Sequence, residues 1–496
     1  MKFLFFISTA IVFSYGHAEE VKLSEQMLTE MSLTSNPNLD QIEATFLDSK
    51  IKAEELKDKF GFEAYSGYNY LNTNERATIS FIPIFRNINQ YQIGVRKYTK
   101  YGMVLDANTS VDARWGDSNN TNFDQVTTTT YEVGLQMDLW KDFLGRMTKS
   151  QFDNLQDLKK KDELQASISK AAFVTNTRKL FWNLIGNEEK IKITQRLTKK
   201  AEQQAADARR RKANSVSDTA EVARFESLVH QRKGSLINLK YEREMLLKSL
   251  RDTFPQLAGK EVVLAPYNKD KILFDILACS AKINEEKNVP YKTTSYDEVI
   301  SLLRSVQTRQ TQIDETYDDV DLQLNLKLRQ VGVASDTDDG GSTYTGSYAD
   351  SLEDIADNNR SGMEAGIALT IPFGEDKKAT KTVKEAYTEK SFLANINMMD
   401  AKVRSTHQQT QKSVKLLSEL MKEQKANSRQ LAIRVKEMKR KYNQARIPEY
   451  ALIQDEDSLL QSDLSVVDIQ LLVIGTMLDY FGVFHEYPCA FNRMVK

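Results

Sequence analysis

Two stretches of this chain, about 232 residues apart, repeat the same pattern. Tyr131–Met137 corresponds to Met363–Leu369, and both stretches alternate apolar and polar side chains before a long helical segment. The spacing persists, since a helix-hairpin tip at Ser217 in the first copy corresponds to Pro448 in the second. A repeat that survives a strand, a helix of about 60 residues and a turn indicates a chain built from two similar halves.

The first 18 residues resemble a secretory signal peptide. Lys2 supplies the positive start, Phe3–Phe13 the apolar core and Gly16–Ala18 a small-x-small cleavage site. We therefore expect an exported chain whose mature form begins at Glu19. Residues 19–496 contain no other apolar run of 18 or more residues, so we expect no transmembrane helix.

The composition restricts the choice of partners. The chain has 68 basic and 69 acidic residues and no basic domain, so we expect no nucleic-acid partner. Only 8 prolines and 20 glycines interrupt it, which favours long elements. Cys279 and Cys489 leave two alternatives open, a disulfide in an oxidising compartment or two separate thiols.

Periodicity predicts the same kinds of element in both halves. The first half, residues 19–254, is predicted to contain a helix over 37–60, strands over 62–71 and 131–139, and helices over 149–212 and 216–250. Residues 88–114 add two strand-like runs with no counterpart later. Residues 255–294 are predicted to be a linker. The second half, residues 295–484, is predicted to contain a helix over 296–313, strands over 321–329 and 363–373, and helices over 377–445 and 448–484, followed by a tail over 485–496.

The second long helix carries a seven-residue repeat typical of a coiled-coil seam. One position of the repeat is occupied by Ala386, Leu393, Val414, Met421, Val435 and Tyr442, and the other by Ile396, Val403, Leu417, Leu431 and Met438. Polar residues interrupt the seam at Asp400, His407, Thr410, Gln424 and Ser428. These polar residues either set the register of packing or line an interior filled with water.

The strand over 321–329 alternates strictly between apolar and polar side chains. Its apolar residues are Leu322, Leu324, Leu326 and Leu328. Such a strand suits either a soluble sheet half buried on a core or a barrel with lipid outside and water inside. Export, and the lack of any segment that could supply a separate core, favour the barrel, so these leucines are predicted to face lipid. Four principal strands cannot close a barrel, which needs about eight, so we expect an obligate oligomer.

Three segments resemble the TolC-like outer-membrane efflux proteins, and the order of elements resembles theirs over almost the whole mature chain. The segments are Ser35–Leu39, Gly366–Gly374 and Lys441–Pro448. The resemblance implies an α+β membrane protein in which a trimeric twelve-stranded β-barrel is continuous with a long α-helical coiled-coil barrel, built from an internal tandem repeat. It implies a homotrimer in the outer membrane, in contact with its lipid, with a helical tunnel in the periplasm. It further implies a periplasmic adaptor and an inner-membrane transporter as partners, and adaptor docking at the helix tips: Ala213, Asn214, Ser215, Val216, Ser217, Ala445, Arg446, Ile447 and Pro448.

The chain departs from that family at the tips. Ala213 and Ala445 stand where glycine is usual, and Ala451 and Gln454 stand where acidic residues often form a selectivity ring. Asp455, Glu456 and Asp457 are nearby acids that could substitute for that ring. They lie at about the same depth as Arg209, Arg210, Arg211 and Lys212, roughly 10 Å above the predicted mouth. The two groups are either a latch that holds the mouth shut or two solvated charge runs.

The sequence offers little for catalysis. His230, His407 and His485 are isolated, so neither a metal site nor a catalytic triad assembles in sequence, and there is no phosphate-binding glycine loop. Asp336, Asp338 and Asp339 weakly suggest a calcium loop, but Ser347 stands where glutamate is needed. We expect no enzyme activity and no cofactor. The chain is predicted to be a passive exit duct of a tripartite efflux or type I secretion system, with a structural or adhesive coiled-coil envelope protein as the alternative.

Overall fold

The computed structural model describes residues 20–34, 36–73, 84–117, 125–215, 218–285, 295–334, 346–357, 360–444 and 446–484. The predicted signal peptide lies outside these ranges, as do Val216, Ser217, Ala445, His485 and Cys489. The residues of the weak calcium-loop pattern, Asp336, Asp338 and Asp339, also lie outside them.

The described residues form eight strands and nine α-helices. The first half contains β1 (Glu20–Leu23), α1 (Glu25–Leu33), α2 (Pro37–Asp58), β2 (Phe62–Asn72), β3 (Ile84–Tyr98), β4 (Met103–Asp117), β5 (Val126–Asp138), α3 (Arg146–Ala213) and α4 (Thr219–Thr253). The remainder contains β6 (Glu261–Leu264), α5 (Lys269–Glu285), α6 (Ser295–Glu315), β7 (Asp321–Ala334), α7 (Tyr348–Asp357), β8 (Ser361–Thr370), α8 (Glu375–Asn443) and α9 (Glu449–Val483). Each predicted helix and strand is present, with ends within a few residues of the prediction except in the longer strands.

The long helices come in two closely matched sets. α3 and α8 have 68 and 69 residues, and α4 and α9 have 35 residues each. At 1.5 Å per residue the longer pair each extend for about 100 Å. Neither α3 nor α8 contains proline, so no residue forces a break in the backbone hydrogen bonding.

One compact unit combines Met1–Thr45, Leu164–Glu298 and Met398–Lys496. In it β1 pairs in parallel with β6, and Asn36 donates a hydrogen bond of 2.9 Å to the carbonyl of Thr253. The predicted linker over 255–294 therefore contains a paired strand and a helix, α5, which the periodicity did not reveal. Cys279 of α5 is disulfide-bonded, which supports the first alternative for the cysteines.

α9 bears on the expectation that the chain has no transmembrane helix. By length and composition this helix is apolar enough to cross a membrane, although 56% of its most apolar stretch is buried within the chain. The buried residues include Val473, Ile474 and Met477, which are at most 1% exposed. Because core helices of soluble bundles have the same composition, we assign α9 to the helical core.

The other compact unit combines Phe46–Glu163 and Val299–Asn397, so each unit draws on both halves of the sequence. Its sheet has six antiparallel strands in the order β2-β3-β4-β5-β7-β8. The four principal strands are present, and the two strand-like runs of residues 88–114 join them in the same sheet. Residues 88–114 form a full hairpin, β3–β4, between β2 and β5, and Gly102 (φ +68°) provides the left-handed residue of its turn.

Candidate functional site: the sheet faces and the helix tips

One face of the six-stranded sheet is apolar across its whole width. The strand register places one apolar row across all six strands: Ala64, Val95, Ala107, Val133, Leu328 and Met363. Val133 and Met363 in this row are 58% and 76% exposed within the single chain. A soluble sheet would bury such a face against a core. The exposed face therefore requires contact with another apolar protein surface or with lipid.

The predicted lipid-facing leucines lie on this apolar face. Leu322, Leu324 and Leu326 are half-buried by their neighbours on the sheet, and Leu328 is exposed. The same face carries aromatic side chains near the β2 edge: the Tyr68 and Tyr91 rings lie 4.8 Å apart, and the Lys97 ammonium lies 4.1 Å from the Phe62 ring centre. Aromatic residues of this kind concentrate at the two interfaces of a membrane.

The opposite face is polar and carries paired charges. One row across it alternates in charge at most positions: Glu63, Arg96, Asp106, Gly134, Lys327 and Glu364. Arg96 lies 3.1 Å from Asp106, and Lys327 lies 3.2 Å from Glu132. The sequence analysis did not single out these residues, although the alternation that identified the leucines also marks the positions between them.

A groove of about 340 Å³ lies on this polar face. Tyr65 donates a hydrogen bond of 2.9 Å to Asp106, and its ring lies over Gly94, where any side chain would collide with it. Gly134 forms part of the floor. These side chains are held by each other and remain accessible to water, as the inner wall of an aqueous pore requires.

α7 packs against β5 and β7 and covers one end of the apolar face. Ser351 and Thr129 share a hydrogen bond of 2.7 Å, and the side chain of Gln330 donates to the carbonyl of Ile355 at 3.2 Å. A side chain at Gly332 would meet the Ser351 carbonyl oxygen at 2.0 Å, so glycine allows this close approach. The periodicity of the acidic loop did not predict α7.

The two edge strands of the sheet are open in a single chain. Among the described strands, β2 and β8 each pair with one neighbour only, and most of their residues are exposed. Neither strand contains proline, and each has one charged residue, Glu63 in β2 and Glu364 in β8. Edge strands with no proline and only one charged residue are suited to pairing with another strand.

The predicted docking tips lie at the ends of α3 and α8. Ala213, Asn214, Ser215, Arg446 and Pro448 are exposed, and Ile447 is half-buried. Ser215, rather than Ala213, adopts the left-handed conformation (φ 58°) that ends the first helix. The next helix, predicted to begin at residue 216, begins at Thr219, because Asp218 is the N-cap of α4 and accepts a hydrogen bond of 2.7 Å from the Glu221 amide.

The predicted latch charges pair with residues other than each other. Arg209 lies 2.6 Å from Glu226, and Arg211 lies 3.8 Å from Glu221. On α9, Asp455 lies 2.8 Å from Arg434, Glu456 lies 2.6 Å from Lys200, and Asp457 pairs with Arg232. The shared depth of the two groups remains a prediction, and the partner of each charge depends on which side of its helix the residue occupies.

Other contacts link the α3–α4 and α8–α9 segments near the tips. α4 is joined to α9 by the pairs Arg224–Glu449 and Arg232–Asp457. Tyr442 of α8 donates a hydrogen bond to Glu221 of α4, and its ring lies 5.8 Å from that of Phe225. Burial, together with this hydrogen bond, raises the pKa of the Tyr442 phenol, so it remains a donor.

An apolar cluster lies beneath these polar links. It contains residues from all four helices: Ala201, Ala205, Ala208, Val222, Phe225, Leu228, Val229, Tyr442 and Leu452. The small alanines of α3 allow close helix approach, and the larger residues of α4 fill the space. The links between helices thus rest on a packed core.

The polar residues of the predicted seam contact other residues of the chain. His407 and Thr410 are 2% and 4% exposed, and His407 lies 3.3 Å from the Tyr480 hydroxyl. Ser428 donates to Asp463 at 2.5 Å, and Gln424 donates to Ser462 at 3.2 Å. These contacts favour polar seam residues that set the register of helix packing over polar residues that line an interior filled with water.

Within the described residues, no group of three or more His, Cys, Asp or Glu side chains is arranged to hold a metal ion. The grooves there are open and lined by a mixture of residue types, and the charged side chains that line the polar-face groove pair with each other. The features that call for a function are therefore the two sheet faces, the sheet edges and the helix tips.

No family model matches the chain, and no curated protein sequence matches it. Solved structures do match. The outer membrane protein VceC of Vibrio cholerae superposes with a TM-score of 0.63 at 12% identity, covering 92% of this chain and 95% of VceC. CusC superposes with a TM-score of 0.61 at 10% identity, covering 95% of this chain and 94% of CusC. The outer membrane channel CmeC of Campylobacter jejuni superposes with a TM-score of 0.61 at 11% identity, covering 95% of this chain and 90% of CmeC.

These structures match nearly the full length of the chain, so the likeness extends to both compact units. Their low identity explains why comparisons of sequence alone find nothing. The resemblance to the TolC-like proteins is thus confirmed at the level of the fold: this chain has the fold of the outer-membrane channel proteins.

Proposed function

We propose that this chain is a passive exit duct of the outer membrane. Three copies close one β-barrel in the membrane, and their helices form a tunnel in the periplasm. A periplasmic adaptor docks on the helix tips and connects the duct to an inner-membrane transporter of a tripartite efflux or type I secretion system. The chain catalyses no reaction.

The observation that carries this proposal is the two-faced sheet. One face is apolar and exposed, the other carries ion pairs such as Arg96–Asp106, and both edges are open. Closing the sheet with further copies would direct the apolar face to lipid and the polar face to water, and would satisfy both edges. A single arrangement thus accounts for all three features.

The tips support the docking part of the proposal. Asn214, Arg446 and Pro448 are exposed near the ends of the longest helices, and the apolar cluster behind them is buried. The matched lengths of α3 with α8 and of α4 with α9 support a tandem repeat, which would give a trimer six similar tips. We propose that the pairs joining α4 to α9 hold the tunnel mouth closed.

The alternative is a structural or adhesive envelope protein that uses its sheet for assembly and its coiled coil as a spacer. The buried polar seam residues are compatible with it. The continuous polar face disfavours it, because a sheet used only for assembly has no need of paired charges along an entire face.

The two functions differ in conductance. The purified protein is expected to form trimers in detergent that resist heat, and these trimers are expected to conduct ions in planar lipid bilayers. The control is the same preparation after boiling, which separates the chains. Stable trimers without conductance would favour the structural protein and contradict the proposed duct.

A further inference from the structure

The β3–β4 hairpin lies inside the wall of the sheet. β3 pairs with β2 along residues 87–97, and β4 pairs with β5 along residues 103–114. Removing the hairpin from its place would therefore separate β2 from the remaining strands. A hairpin that served as a plug or a surface loop would have at least one free edge.

The hairpin obeys the same division into two faces as the other strands. Ile93 and Val95 lie on the apolar face and are 64% and 44% exposed. Arg96, Asp106 and Asn108 lie on the polar face, where Asn108 donates to Asp106 at 2.8 Å. These side chains suit positions in a membrane-spanning wall, with lipid on one side and water on the other.

The edges allow the sheet to continue into a second copy. Since the antiparallel sheet has an even number of strands, six, its edges β2 and β8 run in opposite directions, and β8 of one copy would meet β2 of the next in antiparallel orientation. β2 has 11 residues and β8 has 10, so little of either edge would remain unpaired. The apolar face would also continue across this seam, from Met363 to Ala64 of the next copy.

We infer that three copies close an eighteen-stranded barrel, and that the β3–β4 hairpin makes its pore wide enough for large hydrophilic solutes. This inference rests on the proposed function and adds the size class of the cargo. Three six-stranded sheets give eighteen strands, where four strands per chain would give twelve. Because barrel diameter grows about linearly with strand number, the eighteen-stranded barrel is about 1.5 times as wide as a twelve-stranded one. Barrels of 16–18 strands hold an aqueous channel.

The direct test is the number of strands in the assembled protein. Electron cryo-microscopy of the full chain in lipid nanodiscs is expected to show a trimer with eighteen strands in one wall. Twelve strands would overturn the inference, whether they come from a dimer of complete sheets or from a trimer that leaves the hairpin outside the wall.

A second test measures the width of the pore from the outer side, where the helix tips do not limit access. Gln136→Cys places a thiol on the polar face of β5, and Val133→Cys places one on the apolar face of the same strand. Maleimide-polyethylene glycols of increasing size are then added to intact cells. Gln136→Cys is expected to react and Val133→Cys to be protected by lipid, while Cys279 is disulfide-bonded.

The matched variant replaces residues 73–124 with an Asn-Gly turn, which joins β2 directly to β5 and places Asn72 opposite Gln125. Antiparallel pairing and both faces are retained, because Ala64 and Val133 occupy the same row. Its largest reactive polymer at Gln136→Cys is expected to have a radius about 1.5-fold smaller than in the full chain. Equal limits would overturn the inference. If the shortened chain does not fold, the number of strands seen by electron cryo-microscopy in the full chain tests the inference by itself.

These outcomes separate the inference from the proposed function. A conducting trimer with twelve strands would contradict the wide barrel and leave the duct intact. An eighteen-stranded trimer that conducts no ions would contradict the duct.

Discussion

At the scale of single residues, α9 contains two adjacent carboxylates that are almost completely buried. Asp455 and Glu456 are 2% and 4% exposed in the single chain. Removing a carboxylate from water costs several kcal/mol unless a partner compensates. Lys200 and Gln204 compensate Glu456, with donor distances of 2.6 and 3.1 Å. The position of α9 therefore depends on side chains contributed by α3.

Lys200→Ala is expected to destabilise the protein by about 3 kcal/mol, because it leaves the Glu456 carboxylate buried with one neutral donor. The thermal unfolding midpoint of the detergent-solubilised protein, followed by helical circular dichroism, measures the loss. Lys199→Ala, at the exposed neighbouring position, is the control and is expected to change stability by less than about 0.5 kcal/mol.

A second substitution tests the cause. If the unpaired charge is responsible, Lys200→Ala combined with Glu456→Gln should recover most of the lost stability, since neither charge then remains buried. Additive losses in the double variant would instead indicate that Lys200 acts through the packing of its aliphatic stem.

At the scale of helices and strands, the links between α4 and α9 follow a regular spacing. Arg224 and Arg232 are eight residues apart, as are their partners Glu449 and Asp457. Eight residues are slightly more than two helical turns, so both links lie on one side of each helix. The pair Arg209–Glu226, by contrast, joins α3 to α4 only.

The double variant Arg224→Ala with Arg232→Ala is expected to loosen α9 from α4 and to favour an open mouth. If the two links together contribute about 1.4 kcal/mol to the closed state, opening increases about tenfold. Single-channel recording in planar bilayers measures the fraction of time that the channel is open. Arg209→Ala is the matched control, since its ion pair does not reach α9, and it should leave opening unchanged. An equal effect of both variants would contradict this gate.

Sequence predicted elements better than it predicted contacts. α3 and α8 were placed to within a few residues, because an unbroken period and the lack of proline leave little choice over so long a stretch. β1, β6 and α7 were missed, because 4–10 residues carry too little periodicity. The partners of Arg209 and Asp457 could not be predicted, because sequence spacing gives depth along a helix but not which neighbour it faces.

The β3–β4 hairpin shows the same limit at the level of a sheet. Its strand-like runs were visible in the sequence, but its place between β2 and β5 depends on long-range pairing. The sequence therefore did not show that these two runs bring the sheet to six strands, although its alternation placed Leu322 and Leu328 on one apolar face. Local pattern defines a strand's faces, and only pairing defines its neighbours.

At the scale of the whole molecule, the central question is what the apolar face contacts. In a duct it contacts lipid, where an arginine near the membrane midplane costs about 2–4 kcal/mol. In an envelope fibre without a pore, the exposed part of that face contacts water or another chain. Arginine on the polar face faces water in either case. Paired substitutions on one strand therefore distinguish the two functions.

Val133→Arg and Gln136→Arg form such a pair on β5, since Val133 lies in the apolar row and Gln136 lies on the polar face, where it donates to Gln323 at 2.9 Å. Val133→Arg is expected to reduce the yield of heat-resistant trimers in the outer membrane severely, because about 3 kcal/mol per chain is multiplied by three copies. Gln136→Arg is expected to assemble normally and to shift the ion selectivity of the pore towards anions, because it adds a positive charge beside the aqueous path. Trimer yield on gels and reversal potentials in a salt gradient measure the two effects. Normal assembly of Val133→Arg, or unaltered selectivity in Gln136→Arg, would contradict the assignment of lipid and water to these two faces.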